Sequence, residues 1–162
     1  MTEPIHPQTT IGHVHLKVAD LPRAEAFYRD VLGFEVVTRY GSAASFLSAG
    51  GYHHHIGLNT WQSRGAPPPP DYATGLFHLA ILMPNRQELA RAVKRILDHG
   101  VSLDGMSDHG VSEAVYLHDP DANGIEIYRD RDRSEWPTEP DGSVKLTLEP
   151  LDLADLLSEL DS

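Results

Sequence analysis

Residues 11–18 read IGHVHLKV and residues 76–83 read LFHLAILM; taking the two stretches as copies of one element decides the fold. In the first, Val14, Leu16 and Val18 share one face of an extended chain, and His13, His15 and Lys17 share the other. In the second, Phe77, Leu79, Ile81 and Met83 make the bulkier face and leave His78 opposite. Each stretch leads into a helix. Asp20 reads as the N-cap of a helix over residues 21–32 that Gly33 ends, and Asn85 as the cap of one over residues 86–99 that Gly100 ends. Three extended runs follow each helix, at 34–40, 44–49 and 52–60 in the first copy and 101–107, 113–118 and 124–128 in the second. The separation of His13 from His78 nearly matches that of Gly33 from Gly100, as a duplication requires. The expectation is an α+β fold. Two tandem βαβββ modules, about residues 10–61 and 75–130, form a cupped mixed sheet with helices on the outer face.

The modules are expected to make one domain over residues 1–136, joined by a stiff surface linker at 62–74 that contains Pro67 to Pro70. Residues 137–162 read as a tail. Leu151, Leu153, Leu156, Leu157 and Leu160 among acidic residues give either a short amphipathic helix or an acidic, frayed end.

Composition narrows the function. A net charge of −11 disfavours nucleic acid and anionic membranes, both polyanions. No apolar run reaches the roughly 18 residues of a membrane span, and the polar start MTEPIHPQTT does not read as a signal peptide. The absence of cysteine excludes disulfides, thiolate metal sites and a cysteine nucleophile, and fits a cytoplasmic protein. Ten histidines is a high count for 162 residues, so their placement needs a reason.

Strand parity supplies one. Ile125 and Ile127 should meet the helix layer, which turns Glu126 the other way, and Val115 with Leu117 leaves Tyr116 and His118 on the side of Glu126. His13, His15 and His78 face that side by the same rule, and parity about Ile56 and Leu58 adds His53 and His55. Histidines, a tyrosine and a carboxylate thus line one open face. Two neutral imidazoles and a carboxylate with open positions opposite form the facial set of non-haem Fe(II) oxygen chemistry. A histidine on a sheet face is more commonly a hydrogen-bonded or solvent-facing residue, and the run His53-His54-His55 also fits a surface metal binder. His6, His99 and His118 read as surface residues, and His15 as part of the cavity wall.

These residues resemble the vicinal oxygen chelate superfamily of glyoxalases, bleomycin- and fosfomycin-resistance proteins and extradiol dioxygenases. Gly12-His13-Val14-His15-Leu16-Lys17-Val18-Ala19-Asp20-Leu21, then Ala26-Phe27-Tyr28 and Asp30-Val31-Leu32-Gly33-Phe34, are similar to its first-module signature. Phe77-His78-Leu79-Ala80 and Asp119-Pro120-Asp121-Ala122-Asn123-Gly124-Ile125-Glu126-Ile127-Tyr128 are similar to the second. The details look most like the catechol 2,3-dioxygenase branch. That resemblance implies His13, His78 and Glu126 as metal ligands, and Fe(II) as the metal, with Mn(II), Zn(II) and Ni(II) as alternatives. Glyoxalases usually add a ligand on the fourth strand, where this chain has Gly57. Asp108-His109-Gly110 and Tyr116 resemble the His-Gly loop and tyrosine of extradiol enzymes. A further active-site histidine is implied on the fourth strand; parity favours His55, and the resemblance equally selects His54. Residues 51–61 are similar to part of one half of larger bacterial ring-cleaving dioxygenases, whose second pair of modules is not in this sequence.

The implied activity is an Fe(II)-dependent extradiol dioxygenase acting on a catechol-type aromatic and O2. His55 or His54 would serve as acid-base, and His109 with Tyr116 would bond the substrate oxygens. The alternatives are a glyoxalase-like isomerase, a fosfomycin-type thiol or epoxide transferase, and a metal-free drug-binding resistance protein. Lys17 and Arg39 are the only evident in-sheet cations, which disfavours enzymes of anionic substrates. An open sheet face and edge strands point to a homodimer.

Overall fold

A computed structural model describes residues 3–70 and 72–161. Met1, Thr2, Asp71 and Ser162, which fall in the domain, linker and tail ranges above, lie outside the described residues. The chain forms two compact units, residues 1–29 with 34–66, and residues 30–33 with 67–162.

In the first unit β1 (Val14–Lys17) is followed by α1 (Leu21–Ala26), β2 (Glu35–Tyr40), β3 (Ala44–Ser48) and β4 (Ile56–Asn59). The sheet order is β1-β4-β3-β2, with β1 parallel to β4 and the other pairs antiparallel. Asp20 caps α1 by accepting from the Arg23 amide at 3.0 Å. α1 packs on β3 and β4. Leu16, Val18, Leu47, Ile56 and Leu58 are buried.

The second unit repeats the order with β5 (Leu79–Met83), α2 (Arg86–Asp98), β6 (Gly105–Asp108), β7 (Ser112–His118) and β8 (Gly124–Asp130). Its sheet runs β5-β8-β7-β6-β9, where β9 (Glu149–Pro150) comes from the tail and pairs antiparallel with β6. Asn85 caps α2 through the Glu88 amide at 2.9 Å. Leu89, Val93 and Ile96, spaced at i, i+4 and i+7, are fully buried along one stripe of α2. α3 (Leu153–Ser158) lies on α2 and buries Leu156 completely.

The expected α+β architecture of two βαβββ modules is the one found, and the strands of each module form their own sheet. Three local readings need correction. The first helix does not run evenly to residue 32; after Ala26 it widens into a π-helical turn over Phe27–Val31. β5 starts at Leu79, so Phe77 lies before the strand and is 89% exposed instead of joining the helix-facing side. β4 starts at Ile56, so residues 53–55 precede it and strand parity does not govern His53, His54 and His55. Among the described residues no helix is long and apolar enough to cross a membrane.

Candidate active site

In the second unit the site is built on β8 and its two neighbours. Ile125 and Ile127, each 1% exposed, fill the core, and alternation turns Glu126 to the opposite face. Tyr116 on β7 stands directly across from Glu126, and Ala80 on β5 pairs with it from the other side. His78, one residue before β5, brings Nε2 to 2.9 Å from Glu126 Oε2. The other carboxylate oxygen lies 3.2 Å from the Tyr116 hydroxyl. Tyr116 in turn lies 2.7 Å from His109 Nε2. The run His78–Glu126–Tyr116–His109 is continuous.

Two donor atoms bonded at about 2.1 Å and at right angles to one divalent ion lie about 3 Å apart, so the His78–Glu126 pair has the spacing of adjacent ligands. A neutral imidazole nitrogen and a carboxylate oxygen are donors that divalent first-row metals accept. Burial, then the charge and hydrogen bond of Glu126, push the Tyr116 hydroxyl up to about 12. Tyr116 therefore keeps its proton at neutral pH. Beside this run is a half-open cleft of about 370 Å³ whose walls include Phe77, His78, Tyr116, Ile125, Asp104 and His118.

The first unit gathers aromatic rings instead of carboxylates. His13, exposed and one residue before β1, has its ring 4.3 Å from that of His54 and 6.5 Å from that of His53. His53 Nδ1 and His54 Nδ1 are 2.8 Å apart. Desolvation, then the neighbouring His13 and His53, pull His54 below the usual histidine value. His55 is held elsewhere: its Nδ1 is 3.1 Å from the Ser48 hydroxyl and accepts from the Ala49 amide at 3.3 Å. Of the two histidines left open by the sequence, His54 is the one beside His13. The His15 ring meets Phe46 edge-on at 5.7 Å and Trp61 at a tilt at 5.6 Å. Its ring crosses Gly57, where a β-carbon would sit 2.9 Å from His15 Cγ and Cδ2.

The two sheets can be compared position by position. His13 precedes β1 as His78 precedes β5. Val14 pairs with Ile56 as Leu79 pairs with Ile125, so the register counterpart of Glu126 is Gly57. The first module carries no carboxylate at that position. Within neither unit do three His, Cys, Asp or Glu side chains among the described residues gather to hold a metal. The residue that sequence reading passed over is Thr147, whose carbonyl oxygen lies 3.1 Å from His109 Nδ1. A main-chain atom leaves no side-chain signature to find.

A profile of the glyoxalase/bleomycin resistance protein/dioxygenase superfamily matches residues 10–127. Catechol-2,3-dioxygenase of Bacillus subtilis (strain 168) is 40% identical over 156 residues, covering 96% of this chain and 53% of the relative. Biphenyl-2,3-diol 1,2-dioxygenase 3 of Rhodococcus globerulus is 31% identical over 120 residues, covering 74% of this chain and 63% of its own. The chain therefore spans roughly half to three fifths of the curated relatives it matches. The crystal structure of a glyoxalase/dioxygenase from Nostoc punctiforme superposes with a TM-score of 0.64 at 22% identity, covering 82% of this chain and 99% of that one, and shares the fold. The chain belongs to the glyoxalase/bleomycin resistance protein/dioxygenase superfamily.

Proposed function

We propose that the protein is an Fe(II)-dependent extradiol dioxygenase that opens a catechol-type ring with O2, and that His13, His78 and Glu126 are its metal ligands. The reading rests on one observation above the others: the hydrogen-bonded run from His78 through Glu126 and Tyr116 to His109. It joins a candidate ligand pair directly to two groups able to hold or give a proton. Support for His13 comes from its equivalence to His78 in the duplicated order, and support for a three-residue set from Gly57 at the position of Glu126. The names of two relatives, a catechol and a biphenyl-diol dioxygenase, point to the same substrate class.

When bound, divalent iron supplies Lewis acidity towards both oxygens of a vicinal diol and redox chemistry towards dioxygen. The chain supplies the rest. Tyr116 donates its hydroxyl proton to a substrate oxygen, and His109 takes up or returns a proton at the Tyr116 oxygen. His54 is the acid-base on the side of His13. The cleft beside His78 and Tyr116 takes the apolar body of the ring. Both atoms of O2 end in the ring-opened product, so no further reductant is consumed.

We also take the enzyme to be a cytoplasmic homodimer. The lack of cysteine and the half-exposed Leu82 on the edge strand β5 support this. Sedimentation mass checks the assembly. The function is tested by loading the purified chain with Fe(II) without oxygen, then adding air, ¹⁸O2 and a panel of catechols. A coloured ring-opened product carrying two labelled oxygens is expected. Absence of any such product across the panel overturns the proposal.

A further inference from the structure

His109 sits at the turn between β6 and β7, and its surroundings come largely from the segment after β8. Its amide donates to Ser112 O at 2.8 Å and its carbonyl accepts from the Thr147 amide at 3.0 Å, so both backbone groups are occupied. The Thr147 hydroxyl donates to Asp108 O at 3.3 Å. Gly110 has φ +75°, and a β-carbon there would come within 2.9 Å of Pro137 Cγ and 3.0 Å of Thr147 Oγ1. β9, two residues beyond Thr147, continues the contact by pairing with Ser107 and Asp108. The turn is clamped against residues 137–150.

The ring of His109 has one neighbour on each nitrogen. On Nδ1 it is the Thr147 carbonyl, which can only accept. On Nε2 it is the Tyr116 hydroxyl, which can donate or accept. In a neutral imidazole the Thr147 carbonyl decides the arrangement: the proton sits on Nδ1 and the lone pair on Nε2, so the single Tyr116 hydroxyl proton is directed to Nε2 at 2.7 Å, with Glu126 Oε1 farther off at 3.2 Å. With the opposite tautomer two lone pairs would meet at Nδ1.

We propose that Thr147 is a positioning residue: its main-chain carbonyl fixes the Nδ1–H tautomer of His109 and so presents a lone pair at Nε2 to the Tyr116 hydroxyl. The significance for turnover rests on the dioxygenase reading, whereas the tautomer does not. In that reading Tyr116 and His109 form a short proton path that begins at the substrate side and ends on a carbonyl of the tail. Tail residues then act on the reaction without touching substrate.

The test uses the whole 162-residue chain, metal-free and labelled with ¹⁵N-histidine. Long-range ¹H–¹⁵N spectra at a pH where imidazole is neutral report which ring nitrogen carries the proton, and the His109→Gln variant assigns the resonance. The unaltered chain is expected to show His109 as Nδ1–H with a bare Nε2. Thr147→Pro, which removes the amide bonded to His109 O, is expected to move the population towards Nε2–H. Thr147→Val, which keeps the main chain, leaves it unchanged. An Nε2–H signal for His109 in the unaltered chain overturns the proposal by itself, as does an unshifted tautomer in Thr147→Pro. If instead the Nδ1–H form is found and no catechol is cleaved, the positioning role stands and the dioxygenase reading falls.

Discussion

His78 Nε2 and Glu126 Oε2 lie 2.9 Å apart although His78 stands just before β5 and Glu126 on β8, and Glu126 presents its second oxygen to Tyr116. Each oxygen of that carboxylate therefore has a neighbour along a single line of groups. Replacing Glu126 by Gln keeps the shape and removes the charge that offsets a divalent ion. Glu126→Gln is expected to lose bound iron and to slow ring cleavage by more than about 100-fold, beyond the roughly 10–100-fold cost of losing an outer partner of a ligand. Metal analysis and initial rates on the same sample check this; a variant that binds iron at full stoichiometry removes Glu126 from the ligand set.

His54 and His55 are adjacent in sequence and differ in what they touch. The ring of His54 lies by that of His13, while His55 is tied to Ser48 and Ala49 at the end of β3. His54→Ala should cut turnover by about 10²–10⁴-fold, the usual contribution of an acid-base group, with little change in stability. His55→Ala should leave turnover near normal and cost about 1–2 kcal/mol, because it strips a partner from the buried Ser48 hydroxyl. Rates and urea midpoints measured on both variants decide it, and the reverse pattern hands the catalytic role to His55.

Glu126 was legible in the sequence because β8 is buried on one side only: Ile125 and Ile127 must face the core, and parity does the rest. The duplication put His13 and His78 at equivalent points of the two modules, but the reading had them inside the first strands, whereas each stands one residue before β1 or β5. Alternation failed at residues 53–55 and at Phe77, since it holds only inside a hydrogen-bonded strand and these residues precede one. The π-helical turn at Phe27–Val31 carries no Pro or Gly to mark it. In the tail, the leucine pattern left a helix and a frayed end equally open, and nothing in side-chain chemistry announced that the Thr147 main chain would reach His109.

Glu25 offers a test of the first module by pH. Its carboxylate is 10% exposed and accepts from Arg39 at 2.6 and 2.8 Å and from the Ser45 hydroxyl at 2.7 Å. The Arg39 hydrogen bonds, outweighing the opposing effect of burial and aided by Ser45, hold its pKa below the ordinary 4.5. The folded form thus favours the ionised carboxylate more than the unfolded chain does. Its contribution is complete above that ordinary value and is lost as pH falls through the lowered folded value. Glu25→Gln should cost about 1.5–3 kcal/mol at pH 7, and the gap between the two proteins should close on acidification. Urea unfolding from pH 7 to pH 3 measures it; a gap that stays constant across that range contradicts the assignment.

Glu113 on β7 is 5% exposed and receives Arg86 at 2.9 Å, Arg129 at 2.8 Å and Arg131 at 3.2 Å. Arg86, the first residue of α2, also reaches Asp155 at 2.6 Å and Glu159 at 2.7 Å, so one guanidinium joins β7 to α3. Removing the buried carboxylate leaves three cations without their common partner, and Glu113→Ala should cost about 3–5 kcal/mol. Arg86→Ala should cost less, because Glu113 retains two arginines, yet it removes the guanidinium from Asp155 in α3 and from Glu159 just beyond it. Its signature is therefore local: the amides around Leu156 should exchange faster while those of β8 keep their protection. Since the two residues share a contact, the double variant should be less destabilised than the sum of the singles. Hydrogen exchange and urea unfolding on the three variants supply all of these values, and unchanged protection of α3 in Arg86→Ala would mean that burial of Leu156, not the ion pairs, holds the tail in place.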